Sequence, residues 1–238
     1  MSTLLMRLAA PLQSWGSDSK FESRRRTDRI PTKSGIVGLI AAALGRKRDE
    51  NIEDITSLKY GVRTDRDGGF LRDYHIARDI KQKDPYVTHR YYLSDAVFLV
   101  GLEGPEDLLQ EIDNAIKNPV FPLFLGRRSC PPEGQVTLGV RSGKSLEEAL
   151  REEEWLVSQW MRPREEALVR LPIIVEGGKE AEGAAFQKDQ PLSFDQRHRR
   201  FGYRKVMEVE PLLMNNEHSW RKIAEHTAHD PMMALEEG

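Results

Sequence analysis

The chain has 238 residues, 36 Lys and Arg against 38 Asp and Glu, a formal net charge of −2 and a single cysteine, Cys130. That length suits one large domain or a compact domain with an elaborated second part. One cysteine excludes an internal disulfide framework, and the longest apolar run, Ile36 to Leu44, is too short to cross a bilayer. The expectation is a cytoplasmic protein, with no signal segment, no cofactor and no metal.

Thr3 to Leu8 reads as a first strand, ended by Ala10-Pro11. Leu12 to Arg29 is a polar loop. The helix that follows, Pro31 to Gly45, opens on the capping residues Thr32 and Ser34 and stops at a glycine suited to C′. Its apolar residues leave almost no polar face, so it is expected to be buried. Leu58 to Thr64 alternates as a second strand, closed by Asp65-Arg66-Asp67-Gly68-Gly69. Phe70 to Ala77 and Val87 to Val100 read as extended arms, the second ending in the strong strand Ala96 to Val100. Pro105 to Lys117 places Leu108, Leu109, Ile112 and Ile116 at helical spacing, and Gln135 to Val140 is a further strand. The order β-α-β-β-α-β through about residue 140 is the split βαβ, or ferredoxin-like, pattern of an α+β fold. Beyond it, Ser145-Leu146-Glu147-Glu148 is a capping box that opens a helix to about Trp160. Leu168 to Val175 is an edge or irregular strand, because Pro172 interrupts it. Glu176 to Gln190 is Gly- and charge-rich and reads as a loop, Arg204 to Val209 as a last strand, and the acidic tail from Met214 as frayed or ordered by a partner.

Net charge argues against a nucleic-acid partner, but the distribution argues for one. Met1 to Arg48 holds ten Lys or Arg against three acids, and Arg197, Arg199, Arg200, Arg204 and Lys205 form a second basic cluster. The start of the Pro31 helix offers unpaired N–H groups with Lys33 beside them and Arg24, Arg25, Arg26 and Arg29 upstream, a seat for phosphate. The alternative is an ordinary core helix with an ordinary cap. Phe121 to Pro132 holds Gly126, Arg127, Arg128 and Ser129 before Pro131-Pro132, where backbone and guanidinium groups can face a phosphodiester. The alternative there is a surface loop paired with Asp113 or Glu111. Gly139 to Ser145 misses the P-loop spacing by one residue, and Ser145 is better read as an N-cap. Asp73-Tyr74-His75, with Lys33 or Lys81, could supply acid-base chemistry on RNA. A stacking or structural role is the competing reading. His198, His218, His226 and His229 lack the Cys or acidic partners of a metal site.

Four motifs together carry a family resemblance: Pro11 to Gly16, Arg29 to Gly35, Leu71 to His75 and Leu125 to Pro131. In that order they resemble the CasD family, a subunit of the CRISPR type I-E Cascade surveillance complex. The resemblance covers about residues 1–140, with a weaker part near Arg197 to Val209. It implies a ferredoxin-like (RRM-like, repeat-associated) RNA-binding domain over 1–140 with a β-hairpin thumb at about 74–92. A smaller β-containing extension over 141–213 and an acidic tail over 214–238 follow. It further implies a non-catalytic subunit that grips the 5′ handle of crRNA, caps the backbone-subunit filament, touches the large subunit and meets target DNA only indirectly. The runner-up is a metal-independent endoribonuclease that processes precursor crRNA. Within this reading Lys33, Ser34, Arg127, Arg128 and Ser129 face phosphates, and Trp15, Tyr74, His75, Tyr86 and Arg90 stack or line the thumb. Gln13, Arg24, Arg25, Arg26, Arg72 and Gly126 complete the expected set. Trp15 as core filler is the equal alternative. An RNA-recognition-motif consensus is absent.

Overall fold

The computed structural model describes residues 1–16, 24–78, 86–177, 184–195 and 197–221. The chain forms a mixed α/β structure of mostly antiparallel sheets with few helices. The strands are β1 (Ser2–Ala9), β2 (Leu12–Gln13), β3 (Arg24–Arg25), β4 (Lys59–Arg66), β5 (Gly69–Ala77), β6 (Tyr86–Ser94), β7 (Val97–Gly104), β8 (Thr137–Arg141), β9 (Leu168–Glu176), β10 (Ala185–Ser193) and β11 (Arg200–Asn215). The helices are α1 (Lys33–Ala43), α2 (Glu53–Thr56), α3 (Glu106–Lys117) and α4 (Leu146–Glu152).

A seven-stranded sheet has the order β10-β11-β9-β4-β7-β1-β8. Within it β1 is antiparallel to β7 and β8, and β4 to β7 and β9. Alternation sorts the side chains of the middle strands onto two cores. Leu4, Met6 and Leu8 of β1 with Phe98, Val100 and Leu102 of β7 join the buried faces of α1 and α3. Leu5 and Leu99 point the other way, onto Leu146, Ala149 and Leu150 of α4 and Ile173 and Val175 of β9. Helix α4 lies directly on the strands because Gly101 has no side chain; a Cβ there would stand 2.6 Å from the Leu146 Cδ1.

Two helices behave as their patterns require. Helix α1 buries eight of its residues, Lys33 and Ser34 among them, and Gly45 follows it at φ +76°. Helix α3 buries Leu109, Ile112, Asp113 and Ile116 along one stripe. Other expectations need correction. Helix α4 has the Ser145–Glu148 capping box, but it stops at Glu152 instead of Trp160. The fully buried Arg63 of β4 takes the carbonyls that a longer helix would use. Its Nη1 donates to Leu150 O (2.6 Å) and Glu153 O (2.7 Å), and its Nη2 to Glu154 O (2.7 Å), while Asp65 holds the rest of the guanidinium. Residues 185–190, expected as loop, are strand β10, and β11 extends well beyond Arg204 to Val209 at both ends. The loop from Leu12 to Arg29 contains β2 and β3, both paired with β6.

The described residues of 1–156 and 171–212 form one compact unit, and those of 157–170 with 213–221 another. The second is knitted by Asn216, whose amide donates to Arg162 O (2.7 Å) and Glu166 O (3.1 Å), and by the Trp220 N–H on Pro163 O (2.8 Å). Most of the expected tail, and with it His226 and His229, lies outside the described residues.

Candidate nucleic-acid interface

The start of α1 is capped as its sequence suggests, with Thr32 Oγ1 accepting the Gly35 N–H at 3.3 Å. The phosphate seat expected there is filled from within the protein. Asp189 of β10 is fully buried, and its carboxylate accepts the Lys33 N–H at 2.8 Å together with Nε (2.6 Å) and Nη2 (2.9 Å) of Arg204 on β11. The Lys33 ammonium is 2 % exposed and rests on both Glu176 oxygens of β9, at 2.9 and 3.2 Å. Burial pushes the Lys33 pKa down, and Glu176 only partly opposes the shift. Ser34 is also buried, and its hydroxyl donates to Thr32 Oγ1 at 3.4 Å. Lys33 and Ser34 are therefore structural, because internal carboxylates supply what a phosphate would have supplied.

Gln13 and Trp15 are committed in the same way. Gln13 Nε2 donates to Ala96 O (2.8 Å) and Leu8 O (3.3 Å), and its Oε1 accepts the Trp15 indole N–H at 3.0 Å. Trp15 is 1 % exposed. Its ring packs on the first turn of α1, where a Cβ on Gly35 would come within 2.8 Å of it. A ring so enclosed has no face for a base, which corrects the expectation of stacking at Trp15 in favour of its alternative as core filler.

The 125–130 loop is held tightly. Gly126 has φ +85°, and a Cβ there would lie 1.7 Å from the Ser14 carbonyl oxygen, so only glycine fits against that backbone. The Ser14 N–H donates to Leu125 O (3.2 Å), the Leu125 N–H to Cys130 O (2.7 Å) and the Cys130 N–H to Arg127 O (2.9 Å). Arg127 then bolts the loop to the small sheet. Its Nη1 donates to Tyr91 O (3.2 Å), its Nη2 to Arg25 O (3.0 Å), and its guanidinium stands 4.7 Å over the Tyr92 ring. Arg128 and Ser129 remain exposed at the tip. Arg128 makes no hydrogen bond or ion pair among the described residues. Arg127, expected to meet phosphate, is instead the residue that positions this tip.

Strands β5 and β6 form an antiparallel ribbon in which directly opposed residues share a face. On one face Phe70, Arg72, Tyr74 and Ile76 lie opposite Leu93, Tyr91, His89 and Val87. Here the Arg29 guanidinium lies 4.9 Å over the Phe70 ring, Arg72 Nε approaches His89 Nδ1 at 3.3 Å, and the Tyr74 and His89 rings sit 5.4 Å apart at 53°. Phe70, Tyr74 and Tyr86 each expose more than half their surface. The other face carries Asp73 opposite Arg90 and His75 opposite Thr88, and the parallel pair Arg25 and Arg90 joins β3 to it. Arg90 Nε is buried with no acceptor among the described residues. Arg26 is exposed. Arg24 pairs opposite His89, and its side chain lies outside the described set, as does Lys81. Tyr74 and His75, adjacent in a strand, project to opposite faces and cannot converge on one reacting atom.

The structure thus gathers Arg72 and Tyr74 on one face of the ribbon, His75, Tyr86 and Arg90 with Arg25 on its second face, and Arg128 and Ser129 on the neighbouring loop. It leaves Gln13, Trp15, Lys33 and Ser34 inside the protein. Phe70 and His89 were missing from the expected set, although the alternation Phe70-Arg72-Tyr74 and a hairpin register would have found both. Among the described residues no group of three or more His, Cys, Asp or Glu is arranged to hold a metal ion, and no helix is long and apolar enough to cross a membrane.

Residues 3–207 match the model of the family described as CRISPR-associated protein (Cas_Cas5). The CRISPR system Cascade subunit CasD of Escherichia coli (strain K12) is 35% identical over 170 residues, which is 63% of this chain and 75% of that protein. A chain of a solved CRISPR RNA-guided surveillance complex superposes with a TM-score of 0.71 at 32% identity, over 91% of this chain and 92% of its own. A chain solved as a Cas protein gives a TM-score of 0.68 at 42% identity, over 91% and 97%. The chain belongs to the Cas5 family of CRISPR-associated proteins.

Proposed function

We propose that this chain is the subunit of a cytoplasmic Cascade complex that grips the 5′ handle of crRNA, without cutting RNA. In that role it caps the backbone filament, touches the large subunit and leaves target DNA to guide pairing. A Cascade subunit and a chain of an RNA-guided surveillance complex among its relatives support the assignment. The finer fold reading is ferredoxin-like. It is supported by the antiparallel order β4-β7-β1-β8, by α1 and α3 on one face, and by β5–β6 inserted as a thumb between the second and third strands of that unit.

The observation that carries the site is the ladder of Arg29, Phe70, Arg72, His89 and Tyr74 on one face of the ribbon, which interleaves cations with flat rings, while Arg128 stands exposed on the loop that Arg127 ties to the same small sheet. Such a surface holds a splayed single strand by stacking and phosphate contacts. The test is retention of handle RNA by Arg72→Ala with Arg128→Ala, two exposed positions whose loss leaves the fold intact. Weaker retention with an unchanged melting temperature is expected. Retention unchanged at moderate salt would count decisively against the site. Cleavage of a repeat hairpin in EDTA, abolished by His75→Ala, would replace the binding role with the endoribonuclease reading.

A further inference from the structure

The β10–β11 hairpin carries a second surface of similar chemistry. One side of the hairpin is internal, where Asp189 and Arg204 are buried against α1. The other side faces solvent. Phe186, 68 % exposed, lies opposite Lys205, and Tyr203, 65 % exposed, has the Lys188 ammonium 5.8 Å from its ring centroid. At the connecting turn the Arg199 guanidinium is 5.8 Å from the ring centroids of both Phe194 and Phe201.

Cations outnumber acids around that turn. Burial, and then the nearby Arg48 guanidinium, push the Arg199 pKa down. Lys47, Arg48, Arg197, His198 and Arg200 are exposed around it. Of the acids in this neighbourhood, Asp54 pairs with Arg46 and Asp195 accepts the Arg197 N–H at 2.8 Å, while Asp49 and Glu50 are exposed next to Arg48 in the chain. Cations that share one turn, as Arg197, Arg199 and Arg200 do, disfavour one another until a polyanion lies among them. Exposed rings interleaved with cations suit unpaired bases, whose faces a duplex would hide.

We propose that the solvent face of β10–β11, with Arg199 and Arg48 at its turn, binds single-stranded RNA as a second surface separate from the β5–β6 ribbon. The choice of RNA over DNA rests on the proposed function; the surface itself does not depend on the ribbon. The test uses the full chain and a labelled oligouridine of about 16 nucleotides, which lacks any handle sequence. Tyr203→Leu with Phe186→Leu keeps apolar bulk while removing the flat rings, and is expected to weaken binding about fivefold or more. Lys188→Gln with Arg199→Gln is expected to reduce the slope of log affinity against log salt by about 1.4, roughly 0.7 for each lost phosphate contact. Ultraviolet crosslinking of the unmodified chain is expected to mark the peptide that contains Tyr203, and to do so equally in Arg72→Ala with Arg128→Ala. Absence of that crosslink overturns the proposal even if a variant misfolds. So does affinity within about twofold of the parent with an unchanged slope, or a loss seen with oligothymidine and not with oligouridine. Failure of the ribbon reading instead appears as unchanged handle retention in Arg72→Ala with Arg128→Ala, whatever the Tyr203 peptide does.

Discussion

Asp189→Ala tests whether the start of α1 depends on an internal carboxylate. The substitution removes the acceptor of three donors at once: the Lys33 N–H, Arg204 Nε and Arg204 Nη2. Arg204 is 5 % exposed, and its Nη1 already lacks an acceptor among the described residues, so its charge would stand uncompensated over the Tyr60 ring 4.9 Å away. Breaking a buried pair from one side costs about 3–5 kcal/mol. For a chain of this size that is a fall in melting temperature of about 6–20 °C. The double variant Asp189→Leu with Arg204→Met removes both charges and should recover most of the loss, because an apolar pair of similar volume replaces the ion pair. Thermal melts of the parent, Asp189→Leu, Arg204→Met and the double variant complete the cycle, with Asp189→Ala beside them. The reasoning is refuted if Asp189→Ala melts within about 2 °C of the parent, or if the double variant is no more stable than Asp189→Ala.

Gly126→Ala places a Cβ 1.7 Å from Ser14 O at φ +85°. The left-handed backbone alone costs about 1–2 kcal/mol, so a lower urea midpoint and faster proteolysis near Arg127 are expected; an unchanged midpoint would show that the loop does not seat on Ser14. The Lys33 ammonium, its pKa held below the ordinary 10.5 by burial, is bound more weakly by protons in the folded chain than in the unfolded one. Between the depressed value and 10.5 the unfolded state therefore holds more protons, and stability rises with pH across that window. Lys33→Met should flatten this rise in unfolding curves taken below about pH 10. Above it the buried Tyr60 phenol, pushed well above 10.0, makes stability fall again, and parallel slopes for parent and variant below that point would contradict the assignment.

Elements whose pattern depends on near neighbours were legible in the sequence. Helix α1 shows its cap at Thr32 and its stop at Gly45, and the apolar run of β1, the alternation of β4 and the stripe of α3 are local facts. What could not be read depends on residues far apart in the chain. Helix α4 stops early because Arg63, 87 to 91 positions away, takes its carbonyls. Strand β10 hides in a Gly- and charge-rich stretch because its one buried acid, Asp189, is matched by Arg204 in the next strand.

The candidate site follows the same division. A motif such as Thr32-Lys33-Ser34 gives an inventory of donors, but a donor is available to a ligand only if the fold brings it no acceptor of its own. Glu176 and Asp189 arrive from 143 and 156 positions downstream and close that site. Arg127 is similarly spent on the carbonyls of Tyr91 and Arg25. The proposed handle surface is then built from groups that the fold leaves in solvent: the ribbon of β5 and β6, where among the described residues the side chains of Arg72, Tyr74 and His89 contact one another, and the tip at Arg128. Rigidity comes from the spent residues and binding from the unspent ones, so replacing Arg127 should disturb the loop's shape, while replacing Arg128 should remove charge from an unchanged loop.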